Sequence, residues 1–154
     1  MEQPDSRSVP SPLEKIERVH VIGHTVHKSR GEVEVEVVLG AGELRAEGRS
    51  VGPNTRFEHR RVVGQAVLDA LAKLVEGDPG LSLGEMEERG LGDRRVLLVC
   101  VNRTVERAET AFLGSCEIGY EPEQTVILAI LDAVNRLMGT LRPREPIEYR
   151  IGPV

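Results

Sequence analysis

The sequence predicts an α+β domain: a duplicated βββα unit with pseudo-twofold symmetry, its two helices on one face of a mixed or antiparallel sheet. Three observations carry this. Val67-Leu68-Asp69-Ala70-Leu71 returns as Ile130-Leu131-Asp132-Ala133-Val134, and the acid-to-base pair Asp69/Lys73 returns in register as Asp132/Arg136. Each block closes a segment of the same order: an apolar strand, a turn, a second strand with a central glycine (Gly48, Gly114), a polar loop and a helix. Within each segment the apolar spacing changes once from strand-like to helical, so the repeat has one supersecondary unit per half.

Residues 1–12 read as a disordered tail with breakers and no apolar run. A single domain spans 13–139, with repeats at about 13–79 and 80–139. Residues 16–25 alternate loosely and suggest a first strand. Val33-Glu34-Val35-Glu36-Val37 alternates strictly, with Glu32, Glu34 and Glu36 on a wet face, so this strand is covered on one side only. Gly40-Ala41-Gly42 makes a turn, and Leu44, Ala46 and Gly48 continue as a third strand. Thr55 and Glu58 have capping-box spacing, opening a helix over 56–75. Its stripe is Val63, Ala66, Val67, Ala70, Leu71 and Leu74, and Gly77 stops it. Gly64 inside that helix sacrifices about 1 kcal/mol relative to Ala, which close approach of another backbone or simple tolerance would explain.

The second half begins with a weak strand over 81–87. Val96-Leu97-Leu98-Val99-Cys100-Val101 is apolar at consecutive positions and reads as buried on both faces. Helices on one face leave its other face in need of a partner, so a homodimer is expected, with Leu97 and Val99 as the interface candidates. A hairpin turn near Val105 leads to a strand through Phe112, Gly114, Cys116 and Ile118. Pro122 suits the first turn of a helix over 122–138, where Glu121 and Glu123 favour its positive end. Gly139 ends it. Residues 140–154 form a Pro-rich tail in which Ile147, Tyr149 and Ile151 alternate and could add an edge strand.

Composition narrows the function. Hydrophobic residues make up 40% and charged residues 29%, ordinary for a globular domain. No window approaches a membrane span and no signal peptide is seen, so a cytoplasmic protein is expected. Cys100 and Cys116 fall out of register across the expected hairpin, which argues for two free thiols. The formal charge of −5 and the 3% aromatic content argue against nucleic acid as the main partner.

The duplicated βββα order, with a last helix carrying Leu-Asp-Ala-Val-Asn-Arg at residues 131–136, resembles the C-terminal regulatory domain of 2-isopropylmalate synthase. The resemblance covers roughly residues 32–138 and is one of pattern. It implies a domain that dimerises and senses a small ligand. The synthase barrel has no counterpart here, so no synthase activity is implied. The family's Gly-rich, Asp-containing loop is replaced by Gly114-Ser115-Cys116-Glu117-Ile118-Gly119-Tyr120, which puts leucine binding in doubt. A second, fainter resemblance is to the last strand and helix of double-stranded-RNA-binding domains, through Gly48-Arg49-Ser50 and the basic run Arg56, His59, Arg60, Arg61.

No constellation of nucleophile, acid and base emerges, so the chain is not expected to be an enzyme, and no cofactor or metal is expected. Gly48-Arg49-Ser50-Val51-Gly52 matches the nucleophile-elbow spacing but lacks an immediate helix. His20, His24 and His27 are close in sequence. On a regular strand His20 and His24 share a face and His27 points away, an edge strand's polar residues rather than a zinc site. Asn102-Arg103-Thr104 matches a glycosylation sequon and reads as a hairpin turn. The best site is the start of the first helix. Asn54, Thr55, Arg56 and Arg60 combine a helix N-terminus with two guanidiniums on one face, and Arg61 points further round. They would bind a small anionic ligand unless Glu58 and other carboxylates neutralise them. Duplex RNA is the alternative ligand.

Overall fold

The computed structural model describes residues 15–145. The order is β1 (His20–Ser29), β2 (Glu32–Ala41), β3 (Leu44–Pro53), α1 (Arg56–Leu74), β4 (Leu81–Leu91), β5 (Arg94–Val105), β6 (Ala108–Glu117) and α2 (Pro122–Met138). This is the duplicated βββα order. The strands form two three-stranded antiparallel sheets, β1-β2-β3 and β4-β5-β6, and no ladder joins one to the other among the described residues. Each helix packs on its own sheet, α1 on β3 and β2 and α2 on β6 and β5. The halves meet through α1 against α2, α1 against β4 and α2 against β1. His59 contacts Glu123, and Gly64 faces Ile130. These contacts advance in the same sense along both helices, so the two N-termini lie at the same end.

The residues that announced the repeat hold each helix to its sheet. A Cβ on Gly48 would sit 1.9 Å from the Ala66 carbonyl oxygen and 2.5 Å from the Ala70 nitrogen. One on Gly114 would sit 2.3 Å from the Ala129 oxygen and 2.4 Å from the Ala133 nitrogen. Only glycine opposite alanine allows this approach. Beside each glycine, the repeated aspartate accepts a backbone N–H: Arg49 donates to Asp69 Oδ2 at 2.9 Å and Ser115 to Asp132 Oδ2 at 2.8 Å. Lys73 Nζ donates to the Glu47 carbonyl at 2.8 Å and lies 3.2 Å from Asp69. Because β3 is a sheet edge, Asp69 and Lys73 together cover an open donor and an open acceptor.

Four expectations are corrected. β1 begins at His20, because Val19 is held by Asn135 instead: its N–H donates to Asn135 Oδ1 at 2.9 Å and its carbonyl accepts from Asn135 Nδ2 at 3.2 Å. α1 ends at Leu74, because Val75 bridges Pro143 and the Glu76 N–H donates to the Arg142 carbonyl. β5 is not buried on both faces. Leu97 and Val99 are 1% and 2% exposed on the inner face of their sheet, while Val96, Leu98 and Cys100 point outward. Leu97 and Val99 are therefore core residues and cannot form a dimer interface. Lastly, a register shift between Val21 and Gly23 inserts a residue, so His20 and His27 point outward and His24 inward. The tail 1–12 and the strand suggested through Ile147, Tyr149 and Ile151 lie outside the described residues.

The hairpin turns at Glu106-Arg107, so Cys100 pairs with Leu113 and Cys116 with Leu97, and both thiols are free. Gly64 is explained by side chains rather than backbone: a Cβ there would meet Leu83 Cδ2 at 2.8 Å and Ile130 Cδ1 at 3.3 Å, where the two repeats interlock.

Candidate functional site

Thr55 is the N-cap of α1, and its hydroxyl accepts the Glu58 N–H at 3.2 Å. The Asn54 N–H donates to the Gly31 carbonyl at 3.0 Å, tying the loop to the β1–β2 turn. Arg56 is exposed in the first turn. Arg60, one turn on, reaches across the repeat boundary to β4 and ion-pairs with Glu88. Arg95 of β5 takes the other oxygen of the same carboxylate, at 2.5 Å. Arg61 reaches the Gly84 carbonyl, at 3.4 Å.

Two guanidiniums thus share one carboxylate, and Arg56 is near enough to Arg60 to add its charge. Partial burial, then the charges of Arg56 and Arg95, push the Arg60 guanidinium below its usual pKa, so its neighbours crowd it with like charge. The neutralising carboxylate is Glu88 of the other repeat, not Glu58. Neither Glu88 nor Arg95 was singled out from the sequence, since their convergence depends on strand register: Glu88 pairs with Leu97, so it faces inward towards α1.

At the same end of the helices, His59 Nε2 and Glu123 Oε1 lie 2.9 Å apart, both largely buried. Burial pushes the Glu123 carboxyl up. Its own backbone N–H, the His59 hydrogen bond and the charges of His59 and His24 outweigh this and hold it below the usual carboxylate range. His20 stacks over Gly40 on the opposite sheet face from His24, and no metal-ligating cluster occurs among the described residues.

Ser50 lies within β3, opposite Val35, and the strand continues to Pro53, so the nucleophile-elbow geometry is not formed. Asn102 sits within β5 opposite Ala111, not in a turn. An open cleft of about 340 Å³ lined by Arg18, Asn135, Arg136, Gly139 and Thr140 lies at the other end of α2.

No protein-family model matches this chain, and no curated protein matches it. The arginine cluster and the sheet surfaces therefore carry the functional argument. No described helix is long and apolar enough to cross a membrane.

Proposed function

We propose that this chain is a non-catalytic regulatory module that self-associates and senses a small anion, a carboxylate or phosphate, where its two repeats meet. The observation that carries the reading is the sharing of the Glu88 carboxylate by Arg60 and Arg95, with the charge of Arg56 acting on Arg60 beside them. These four groups leave two positive charges in excess, at the end where both helix N-termini lie. The exposed donors of Arg56 and Arg95 flank an anchored Arg60, so an incoming anion would bridge groups from both halves. The regulatory role agrees with what the resemblance to the synthase domain implies. His59 and Glu123 are engaged with each other, which favours a structural role for that pair.

The test is thermal unfolding with inorganic phosphate and citrate as probes, in wild type and in Arg56→Ala/Arg95→Ala. These two arginines are removed because Arg60 anchors Glu88. Stabilisation of wild type by about 2 kcal/mol at saturating probe, abolished in the double variant, supports the reading. No stabilisation by either probe refutes the anion site. Tight, steeply salt-dependent binding of duplex RNA without a response to the small anions would select a nucleic-acid function instead.

A further inference from the structure

We infer that the outer face of the β4-β5-β6 sheet is the surface on which two copies of this chain pack, through Leu98 and Leu113. The inference rests on the self-association part of the proposed function and names its surface. The duplication supplies an internal control. Val37 pairs with Gly48 in the first sheet as Val99 pairs with Gly114 in the second, so the two outer faces can be compared position by position. Five outward positions of the first sheet are Glu34, Glu36, Arg45, Glu47 and Arg49, all charged, with Arg49 Nε 2.6 Å from Glu34. Their equivalents in the second sheet are Val96, Leu98, Ala111, Leu113 and Ser115, none charged. One backbone thus carries two opposite surfaces. The first is mainly charged, with Ile22 and Val51 exposed on its two edge strands. The second exposes Leu113 at 78% and Leu98 at 41%, with Val96 and Cys100 half-buried beside them.

The occupant is a second copy. Glu87 and Arg89, the cross-strand neighbours of Leu98 and Val96, pair with each other, so the centre of the face holds no unpaired charge for an acidic or basic partner, and another such face matches it. Only one of the two sheet faces has this character, so face-to-face packing uses both surfaces up and closes at two. Along β4 and at the end near Arg94 the charges are already paired, Arg89 with Glu87 at 3.1 Å and Arg94 with Glu117 at 3.8 Å, which borders the apolar patch with a polar rim. A footprint of three strands by about ten residues covers roughly 500 Å² per copy. Stable interfaces bury about 800 Å² per partner, so a face of this size fits a weak dimer at the small end of the range.

Sedimentation equilibrium from 1 to 200 µM would test this with wild type, Leu98→Glu, Leu98→Lys, their equimolar mixture, and Glu36→Lys on the first sheet as a control. Wild type should dimerise in the micromolar range. Each Leu98 variant should weaken association at least a hundredfold while keeping native circular dichroism, because both copies then carry like charges across the contact. The mixture should regain dimers, and Glu36→Lys should behave as wild type. If Leu98→Glu unfolds the chain, Leu113→Glu on the more exposed edge strand replaces it. A wild type monomeric at 200 µM would overturn self-association itself. A dimer indifferent to charges at Leu98 and Leu113 would overturn this surface and leave self-association standing.

Discussion

Gly114→Ala isolates the contact that joins each helix to its sheet. The added methyl would lie 2.3 Å from the Ala129 oxygen and 2.4 Å from the Ala133 nitrogen, and both obstacles are helix backbone. To restore a tolerable contact, α2 must recede by roughly 0.7 Å, an overpacking that costs about 1–3 kcal/mol. The same retreat pulls Asp132 from the Ser115 N–H, now at 2.8 Å, adding roughly 1 kcal/mol. The expected loss is therefore about 2–4 kcal/mol in urea unfolding, a large share of a small domain's stability. Two other glycines calibrate the result. Gly90 has nothing within 4 Å of an added Cβ, so Gly90→Ala should stabilise by about 0.5 kcal/mol through the unfolded state. Gly64→Ala meets mainly the flexible end of Leu83, and a helix-propensity gain of about 1 kcal/mol offsets that crowding, so its net effect should be near zero. A cost below 1 kcal/mol for Gly114→Ala, or one no larger than for Gly64→Ala, would refute the close-approach argument.

Asn135→Ala removes both hydrogen bonds that clamp Val19 and should destabilise by about 1–3 kcal/mol, with new protease cleavage near residue 19 as the local readout. The Glu123 carboxyl, held below its usual range in the folded state, adds stability that is fully present above its unfolded pKa of about 4.3 and is lost as pH falls through the lower folded value. Unfolding free energy measured between pH 6 and pH 3 should therefore drop in wild type, and Glu123→Gln should flatten that drop; equal slopes in the two proteins would remove Glu123 as a cause.

The helices and the duplication were legible because their signals are local. The alanines at positions 66, 70, 129 and 133, the glycines at 48 and 114 and the two aspartates make the same helix–sheet contact once in each half, and that contact needs the same residue types in both. The division into two sheets was not legible, since strand periodicity says how a strand is covered but not which strand lies beyond it. The run from Val96 to Val101 misled for a related reason. Consecutive aliphatics fit burial on both faces, and also fit one buried face and one exposed apolar face. The histidine geometry turned on one inserted residue near Gly23, which reverses every side chain before it. Of the candidate site, Arg56 and Arg60 were identified, but their partners Glu88 and Arg95 lie far along the chain and meet them only through register.

The ends of the described chain lie side by side. The Ile16 N–H donates to the Leu141 carbonyl at 3.2 Å, and two residues further Pro143 bridges Val75 at the end of α1. The link between the repeats, around Gly77-Asp78, is exposed. Joining the two ends with a short linker and opening the chain at that link would therefore exchange the order of the repeats while keeping every strand pairing and both helix–sheet contacts. Which half is made first is not written into the architecture: a permuted chain should reach the same fold, and the two halves would differ only in which of them waits, unpartnered, for the other to be synthesised.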